Sequence, residues 1–346
     1  MRNLKRALSL ALASVMVLGL MVVGSGASYA DVTSEENVEA IEVLQAVGVM
    51  VGDENGNFNP DRNVTRAQMA TVMANLLDLK VEDFNAADIP FTDVPSWAVP
   101  YVAACYADGI TAGVSDTLYG SDSTVTAAQA ALMMMKALGY FQNQGDFEQD
   151  WTLATIKKGS EIGIFDGITV DRTSPLTRND VAQMALNALK SNMVTFTGEV
   201  GIEIPTANGN VVVGYNPEYT ARTSANSKYN QISAGTTDIA SNNQYYVQLG
   251  EELYGGDLKL RADTDVFGRP ARYWEYDGKE IGTYVNYGQL EEEYTTEVTS
   301  KDLYDLLGKS TLQDYDLYVY IDGEDDGNIN DDIFAASDIS KNDKTG

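Results

Sequence analysis

One pattern recurs three times in this 346-residue chain and constrains its fold more than any other feature. In each copy a threonine precedes an apolar helical stretch, and a side chain that can return a hydrogen bond stands three positions later. The copies are TRAQ, TAAQ and TRND, which begin at Thr65, Thr126 and Thr177. The first two match a helix-capping box, and the shorter Asp180 gives the third a weaker form of that cap. Each copy therefore predicts the start of an α-helix.

The residues before each threonine repeat as well. Two glycines enclose a branched apolar residue and two variable residues, and the first glycine stands 17, 17 and 14 positions before the threonine. These turns are GVMVG (48–52), GITAG (109–113) and GIFDG (163–167). Each copy thus predicts a helix, a turn, a loop and a capped helix. One such unit is too small to bury its own apolar face, whereas three can share a core.

The repeated unit resembles the S-layer homology (SLH) repeat, on the evidence of FTDV…W (91–97), the G-I-x-x-G turn and GNFNPDRNVTRAQ (56–68). The resemblance covers about 34–190, as unit one (about 34–78), unit two (91–140) and unit three (148–190). It implies an all-α, pseudo-threefold trio of helix-loop-helix repeats. Grooves between neighbouring SLH units bind secondary cell-wall polysaccharide, which commonly carries ketal-linked pyruvate. Unit one is expected to lack the F-x-D opening of unit two.

The resemblance also implies which residues bind the polymer. In such grooves the arginine of one unit faces an acidic group, and a tryptophan of the next unit forms an apolar wall. Arg66 and Trp97 give the complete groove, so we expect the main site there. The candidate polysaccharide-binding residues are Arg66, Trp97, Thr65, Gln68, Arg178 and Trp151.

The other two grooves are expected to be weaker. Ala127 replaces the arginine of unit two, so the groove with Trp151 lacks the charge. Unit three carries Arg178, but Glu36 stands at the tryptophan position of unit one and would repel an acidic ligand. Arg178 is therefore a secondary candidate.

Residue chemistry alone leaves alternatives open at these positions. Arg66 is either a solvated side chain paired with an acid such as Asp61, or part of an anion pocket beside free helix N–H groups. Trp97 and Trp151 either pack at a helix start or face a ligand, and both roles can hold together. Cys105 is expected to be a small buried hydrophobe.

Residues 196–346 differ in composition from the repeats. Fifteen of the 20 tyrosines lie in 191–346, mostly in short alternating runs that predict strands. The stretch 271–285 predicts a hairpin with a type I′ turn at Asp277 and Gly278. The predicted fold is therefore multidomain, with the all-α trio at 31–195 followed by a mainly β (α+β) domain at 196–346. The sequence leaves open whether that domain is complete.

The stretch DGEDDGNINDDI (322–333) resembles a calcium loop. Its twelfth position is Ile333 where a carboxylate is expected, so the alternative is a solvated acidic turn after a strand. The sequence predicts that the protein needs no cofactor, and calcium bound by this loop is the alternative. The candidate ligands are Asp322, Glu324, Asp326, Asn328 and Asn330.

The first 30 residues predict a secretory signal peptide. Three basic residues precede the apolar stretch 7–23, and Ser28 and Ala30 supply small residues for cleavage after Ala30. The alternative is a transmembrane anchor, which the short apolar stretch disfavours. We therefore expect an exported protein without membrane insertion after cleavage.

Composition excludes several classes of function. A formal net charge of −28 repels nucleic acid and anionic lipid. The chain has no histidine, which excludes histidine-based triads and imidazole acid–base chemistry. It has one cysteine, Cys105, so it forms no intramolecular disulfide. We find no nucleophile motif, phosphate loop or cofactor fingerprint.

The sequence therefore predicts a non-enzymatic surface protein. The SLH trio would hold it non-covalently on the wall polysaccharide of a Gram-positive-type bacterium, as an S-layer or S-layer-like structural protein. Its candidate partners are that polysaccharide and identical subunits in a surface lattice. The alternative is an SLH-anchored extracellular enzyme of glycoside hydrolase type, or an adhesin, with its activity in 196–346.

Overall fold

The computed structural model describes most of the chain between residues 29 and 286. The described residues are 29–33, 37–147, 150–206, 209–232, 239–240, 244–265 and 269–286, then 298–299, 302, 304–305, 318–321, 324–328 and 344–345. Those up to Lys259, with Glu275–Ile281, form one compact part, and Leu260–Trp274 with those from Gly282 onward form a second. Over these residues, no helix is both long and apolar enough to cross a membrane.

The repeats are helical as predicted, with two α-helices in each unit. These are α1 (Val38–Ala46) and α2 (Arg66–Leu76), α3 (Val99–Ala107) and α4 (Ala127–Leu138), and α5 (Trp151–Glu161) and α6 (Arg178–Lys190). All three threonines begin a helix with a complete capping box. Asp180, expected to be a weak cap, accepts hydrogen bonds from both the backbone N–H and the hydroxyl of Thr177, at 2.9 and 2.7 Å.

The capped helices bury nearly all of their apolar residues because these recur at helical spacing. In α4, Met133, Met134 and Met135 are all buried and belong to the core. Cys105 is fully buried on α3, and its Sγ donates to the carbonyl of Ala70 at 3.4 Å. Burial raises the pKa of the Cys105 thiol to about 12, so this cysteine is inert at neutral pH.

The three units close on one another in a ring. Helix α2 packs against α3, α4 against α5, and α6 against α1, while α4 also contacts both α2 and α6. The residues just before each capped helix are also joined in a ring, by backbone hydrogen bonds from one unit to another. Val125 N–H donates to Val64, Leu176 N–H to Val125, and Val64 N–H to Leu176, at 2.9, 3.0 and 3.0 Å. Each unit therefore completes its core and its backbone hydrogen bonds on the next.

Short antiparallel strands follow α6. They are β1 (Val194–Phe196), β2 (Glu199–Thr206), β3 (Gly209–Asn216), β4 (Tyr219–Ala221), β5 (Thr223–Ser224), β6 (Ile239–Ala240) and β7 (Gln244–Tyr246). Strand β2 pairs with β3, β1 with β4, and β7 lies between β5 and β6. A short helix, α7 (Leu249–Tyr254), follows. The prediction of helices followed by strands is confirmed.

An aromatic cluster fixes the first strands against the helical ring. The hydroxyls of Tyr215 and Tyr219 both donate to the Asp146 carboxylate, at 2.5 and 2.7 Å. A Cβ at Gly145 would overlap the Tyr215 ring, so this approach requires glycine. Burial and the Asp146 carboxylate raise the pKa of both tyrosines, which keeps their hydroxyls protonated as donors.

The predicted hairpin is present as β9 (Pro270–Tyr276) and β10 (Lys279–Val285), in a sheet of order β10–β9–β8 with β8 (Leu258–Thr264). Asp277 and Gly278 have φ values of 50° and 75°, which confirms the type I′ turn. The remaining described strands are β11 (Val298–Thr299), β12 (Tyr318–Ile321), β13 (Glu324–Asn328) and β14 (Lys344–Thr345). The domain boundaries at 30, 195 and 196 stay predictions.

Candidate functional site

The start of α2 lies at the junction between units one and two. Arg66 N–H donates to the carbonyl of Ser123 at 2.9 Å, Ala67 N–H to that of Ser121 at 3.2 Å, and Gln68 N–H to Thr65 Oγ1 at 3.3 Å. The expectation of free N–H groups here is wrong, because the loop of unit two fills the positive end of the helix with its own carbonyls. An anion at this junction must be bound by side chains.

The Arg66 side chain crosses the same junction. Its Nε donates to the carbonyl of Tyr119 at 2.9 Å and its Nη2 to that of Ala112 at 2.8 Å. The guanidinium carbon lies 4.8 Å from the centre of the Tyr119 ring. The residue is only 9% exposed, so the alternative of a solvated arginine paired with Asp61 is wrong. Arg66 holds unit one on unit two and has a fixed orientation.

Arg178 repeats this arrangement between units three and one. Its Nε donates to the carbonyl of Phe58 at 2.7 Å and its Nη2 to that of Val51 at 2.9 Å. Its guanidinium carbon lies 4.5 Å from the centre of the Phe58 ring. The same residue type at the same repeat position therefore makes the same contacts, which shows that the arginine is part of the repeat architecture.

The junction between units two and three uses a different arginine. Ala127 is too short to reach the loop of unit three. The carbonyl of Val170, which corresponds to that of Tyr119, accepts instead from Arg172 of the same unit. The Nη1 of Arg172 donates to Val170 at 3.0 Å, and its guanidinium carbon lies 4.4 Å from the centre of the Phe165 ring. Sequence reasoning missed Arg172, although its place five residues before Thr177 marks it as a loop residue of the repeat.

The opening of unit two braces the loop that Arg66 contacts. The Asp93 carboxylate accepts hydrogen bonds from the N–H groups of Tyr119 and Gly120, both at 2.7 Å. Partial burial alone would raise the pKa of Asp93, but its backbone hydrogen bonds outweigh this and lower it. Trp97 follows Asp93 by four residues, in the turn that leads from this opening into α3.

Both candidate tryptophans are exposed. Trp97 is 51% exposed in the turn before α3, and Trp151 is 40% exposed as the first residue of α5. A residue that mainly filled the core would be buried, so the structure favours the alternative in which these rings face solvent. Leu118 and Val114, in the loop of unit two, are also exposed.

Unit one does have an opening, contrary to expectation. Tyr29 and Asp31 occupy the places of Phe91 and Asp93, and the Asp31 carboxylate accepts from the N–H groups of Phe58 and Asn59 at 2.8 and 2.6 Å. An aromatic residue two positions before an aspartate was the signal. This signal overlaps the predicted cleavage site after Ala30, which places Tyr29 in the leader and hides the match to unit two.

The remaining candidates are placed as follows. Thr65 and Gln68 bond to each other's backbone in the capping box, so their side chains already have a structural role. Glu36 lies outside the described residues. The assignment of all six candidates to a polysaccharide stays a prediction.

The predicted calcium ligands fall in or beside a strand. Residues 324–328 form β13, which pairs antiparallel with β12 through an irregular register at Val319 and Tyr320. Asp322 and Asn330 lie outside the described residues, and no group of metal-binding side chains occurs among those that are described. The calcium site stays a prediction.

The family comparison matches the region that forms these junctions. The model of the S-layer homology domain matches residues 28–70 and 90–131, which are the opening, loop and capped helix start of units one and two. The two matched stretches fall in units one and two, and the Arg66 contacts lie between those units.

Curated relatives agree with this assignment. The chain is similar to the surface-layer 125 kDa protein of Lysinibacillus sphaericus, at 31% identity over 42% of this chain and 13% of that protein. It is similar to the middle cell wall protein of Brevibacillus brevis, at 28% identity over 55% of this chain and 18% of that protein. It is also similar to an endoglucanase of a Bacillus species, at 27% identity over 41% of this chain and 16% of that protein. The match spans less than a fifth of each relative's length.

Proposed function

We propose that this chain anchors a secreted surface protein to the bacterial cell wall by binding secondary cell-wall polysaccharide, with the main site at the junction of units one and two. One observation carries the proposal. The two matched stretches meet at that junction, where the buried Arg66 guanidinium is held on the loop of unit two, and unit two also carries the exposed Trp97.

Arg66 is suited to bind an acidic sugar substituent because its orientation is fixed before the ligand arrives. A guanidinium has five N–H donors, and Tyr119 and Ala112 take two of them. The remaining edge can meet a carboxylate such as that of a pyruvate ketal. Little entropy is then lost on binding, and low exposure reduces screening by salt.

Trp97 complements the charge with an apolar surface. Its exposed ring can pack against the apolar face of a sugar, and Leu118 and Val114 are further exposed apolar residues of unit two. Thr65 and Gln68 then act as positioning residues that hold the start of α2, and Trp151 and Arg178 belong to the two weaker junctions.

Unit three completes the trio in this proposal. Its helices α5 and α6 close the ring, and its capping box and arginine contacts repeat those of unit one. We infer that 148–190 is a third S-layer homology repeat whose sequence has diverged. Its first glycine stands 14 positions before the threonine, against 17 in the other two units, which is one mark of that divergence.

A cell-wall pull-down tests the assignment. The exported protein is incubated with native sacculi and with sacculi stripped of their attached polymer, and binding is measured for wild type, Arg66→Ala and Trp97→Ala. We expect loss of binding on stripping and at least about tenfold weaker binding for each variant.

Arg62→Ala, which removes an exposed arginine of unit one, is the control for net charge and should bind normally. Arg66→Lys keeps the charge but loses the planar fork, and should bind weakly. Full binding by a folded Arg66→Ala variant would contradict the assignment.

We infer that residues 196–346 act outside the anchor, as part of a surface layer made of identical subunits. The surface-layer relatives support this reading. The endoglucanase relative supports the second candidate, an anchored extracellular glycoside hydrolase. Hydrolysis of a panel of polysaccharides separates them, because only an anchored enzyme would release reducing ends.

A further inference from the structure

Tyr29 and Asp31 complete unit one in the way that Phe91 and Asp93 complete unit two. The Tyr29 and Phe58 rings lie 5.5 Å apart at 39°, and the Phe91 and Tyr119 rings lie 5.5 Å apart at 41°. The two aspartates cap the backbone of the two corresponding loops. The equivalence places Tyr29 inside the first repeat.

The glycines of the two turns show the same equivalence. A Cβ at Gly52 would overlap the Tyr29 ring, and a Cβ at Gly113 would overlap the Phe91 ring. In both units the first aromatic ring lies directly on the second glycine of the turn. The glycine is therefore matched to the ring, and removal of Tyr29 would leave a gap over Gly52.

Tyr29 is also bonded into the fold. It is 9% exposed, its hydroxyl accepts a hydrogen bond from the Gly52 N–H at 2.7 Å, and its carbonyl accepts one from Val32 N–H at 3.1 Å. Its burial raises the pKa of the hydroxyl, so the group stays protonated. These contacts make Tyr29 part of the core of unit one.

Cleavage after Ala30 would remove this core residue. The small residues Ser28 and Ala30 predict that site, but Ser25 and Ala27 supply the same small-residue spacing three positions earlier. The first S-layer homology match begins at residue 28, immediately after Ala27. The earlier site therefore leaves the matched repeat whole.

We propose that export cleaves the chain between Ala27 and Ser28, so that the mature protein begins at Ser28 and keeps Tyr29. The step is a hydrolysis by the signal peptidase of the exporting cell. The Ala27–Ser28 amide bond breaks, and water gives its oxygen to the new Ala27 carboxylate and a proton to the new Ser28 amine. The proposal rests on the predicted signal peptide and is independent of polysaccharide binding.

The first test uses the full chain, expressed in a Gram-positive secretion host. Intact-mass measurement and N-terminal sequencing of the exported protein should give Ser28 as the first residue. A mature chain that begins at Asp31, or one that keeps the whole leader, would overturn the proposal. Any other first residue would overturn the assignment of the bond.

A matched pair of variants provides the second test. Ala27→Gln places a large side chain before the proposed bond, and Ala30→Gln places it before the alternative bond at an exposed position. We expect Ala27→Gln to reduce the yield of mature chain at least tenfold with accumulation of precursor, and Ala30→Gln to leave it unchanged. The opposite result would overturn the proposal. Wall binding is measured separately, so failure of the anchoring function would not affect either readout.

Discussion

The junction between units one and two and the junction between units two and three are built on the same backbone bonds but on different side chains. In the first, Arg66 reaches across to two carbonyls of the neighbouring loop. In the second, Ala127 stands at the position of Arg66 and has no side chain that could reach across. Arg172 donates instead to the carbonyl of Val170, which belongs to the same unit. The backbone circuit closes the ring in both cases, so the cross-unit arginine is not needed for closure. Of these two junctions, only the first therefore presents a guanidinium that reaches from one unit to the next.

The strongest test of this comparison is to truncate, at each junction, the loop residue whose carbonyl the arginine contacts. Tyr119 is fully buried under Arg66, whereas Val170 at the corresponding position is half-buried. Tyr119→Ala should lower the free energy of unfolding by about 3–5 kcal/mol, and Val170→Ala by less than about 1 kcal/mol. Urea unfolding followed by circular dichroism measures both. Equal losses would mean that the two junctions contribute equally to stability.

Removing the arginines themselves should have the next largest effect. Arg66→Ala leaves the buried carbonyl of Tyr119 and the partly buried carbonyl of Ala112 without these donors, which should cost about 1–3 kcal/mol of unfolding free energy. Arg172→Ala affects one half-exposed carbonyl and should cost less than about 1 kcal/mol. Paired denaturation curves measure the difference. A larger loss for Arg172→Ala would mean that the arginine within unit three stabilises the fold more than Arg66 does.

The helix caps offer a control in which the two junctions should behave alike. Thr65 and Thr126 accept the same hydrogen bond at 3.3 Å, so Thr65→Ala and Thr126→Ala should each cost about 1 kcal/mol. Thermal unfolding of the two variants gives the comparison. A clear inequality would show that the junctions differ in more than their arginines.

Acidification should have the smallest effect and should act through the loop that Arg66 contacts. Despite partial burial, backbone hydrogen bonds hold the pKa of Asp93 below its ordinary value in the folded chain, so the stability that it contributes is complete above that ordinary value and is lost as pH falls through the folded pKa. We expect a gradual fall in melting temperature below about pH 4, and a smaller fall for Asp93→Asn. A variant that loses stability as steeply as wild type would exclude Asp93 as the cause.

Local chemistry explains which parts of the fold were predictable. The capped helices follow from bonds within four residues, such as those between Thr65 and Gln68, and the hairpin turn follows from Asp277 and Gly278. The closed ring brings together residues such as Arg178 and Phe58, which lie 120 residues apart in the chain. Here the repeat pattern supplied information that no single unit contains.

The errors at the site have physical reasons as well. The sequence shows that a helix start is positive, but it does not show that the neighbouring backbone already fills it, as Ser121 and Ser123 do for α2. The small residues around Tyr29 predict a leader that includes it, whereas the structure buries its ring against the first repeat. Residues in 196–346 gave no comparable signal, since short strands carry little information about their partners.

Closure of the ring sets a limit on how this architecture can vary. An open-ended stack can gain or lose a copy at either end, because only one interface changes. Here α6 returns to α1, so the first and last copies are neighbours and an added or deleted copy would disrupt two interfaces at once. The copy number is therefore fixed at three by geometry, and diversification must proceed by exchange of side chains within a copy, as Ala127 and Arg172 illustrate.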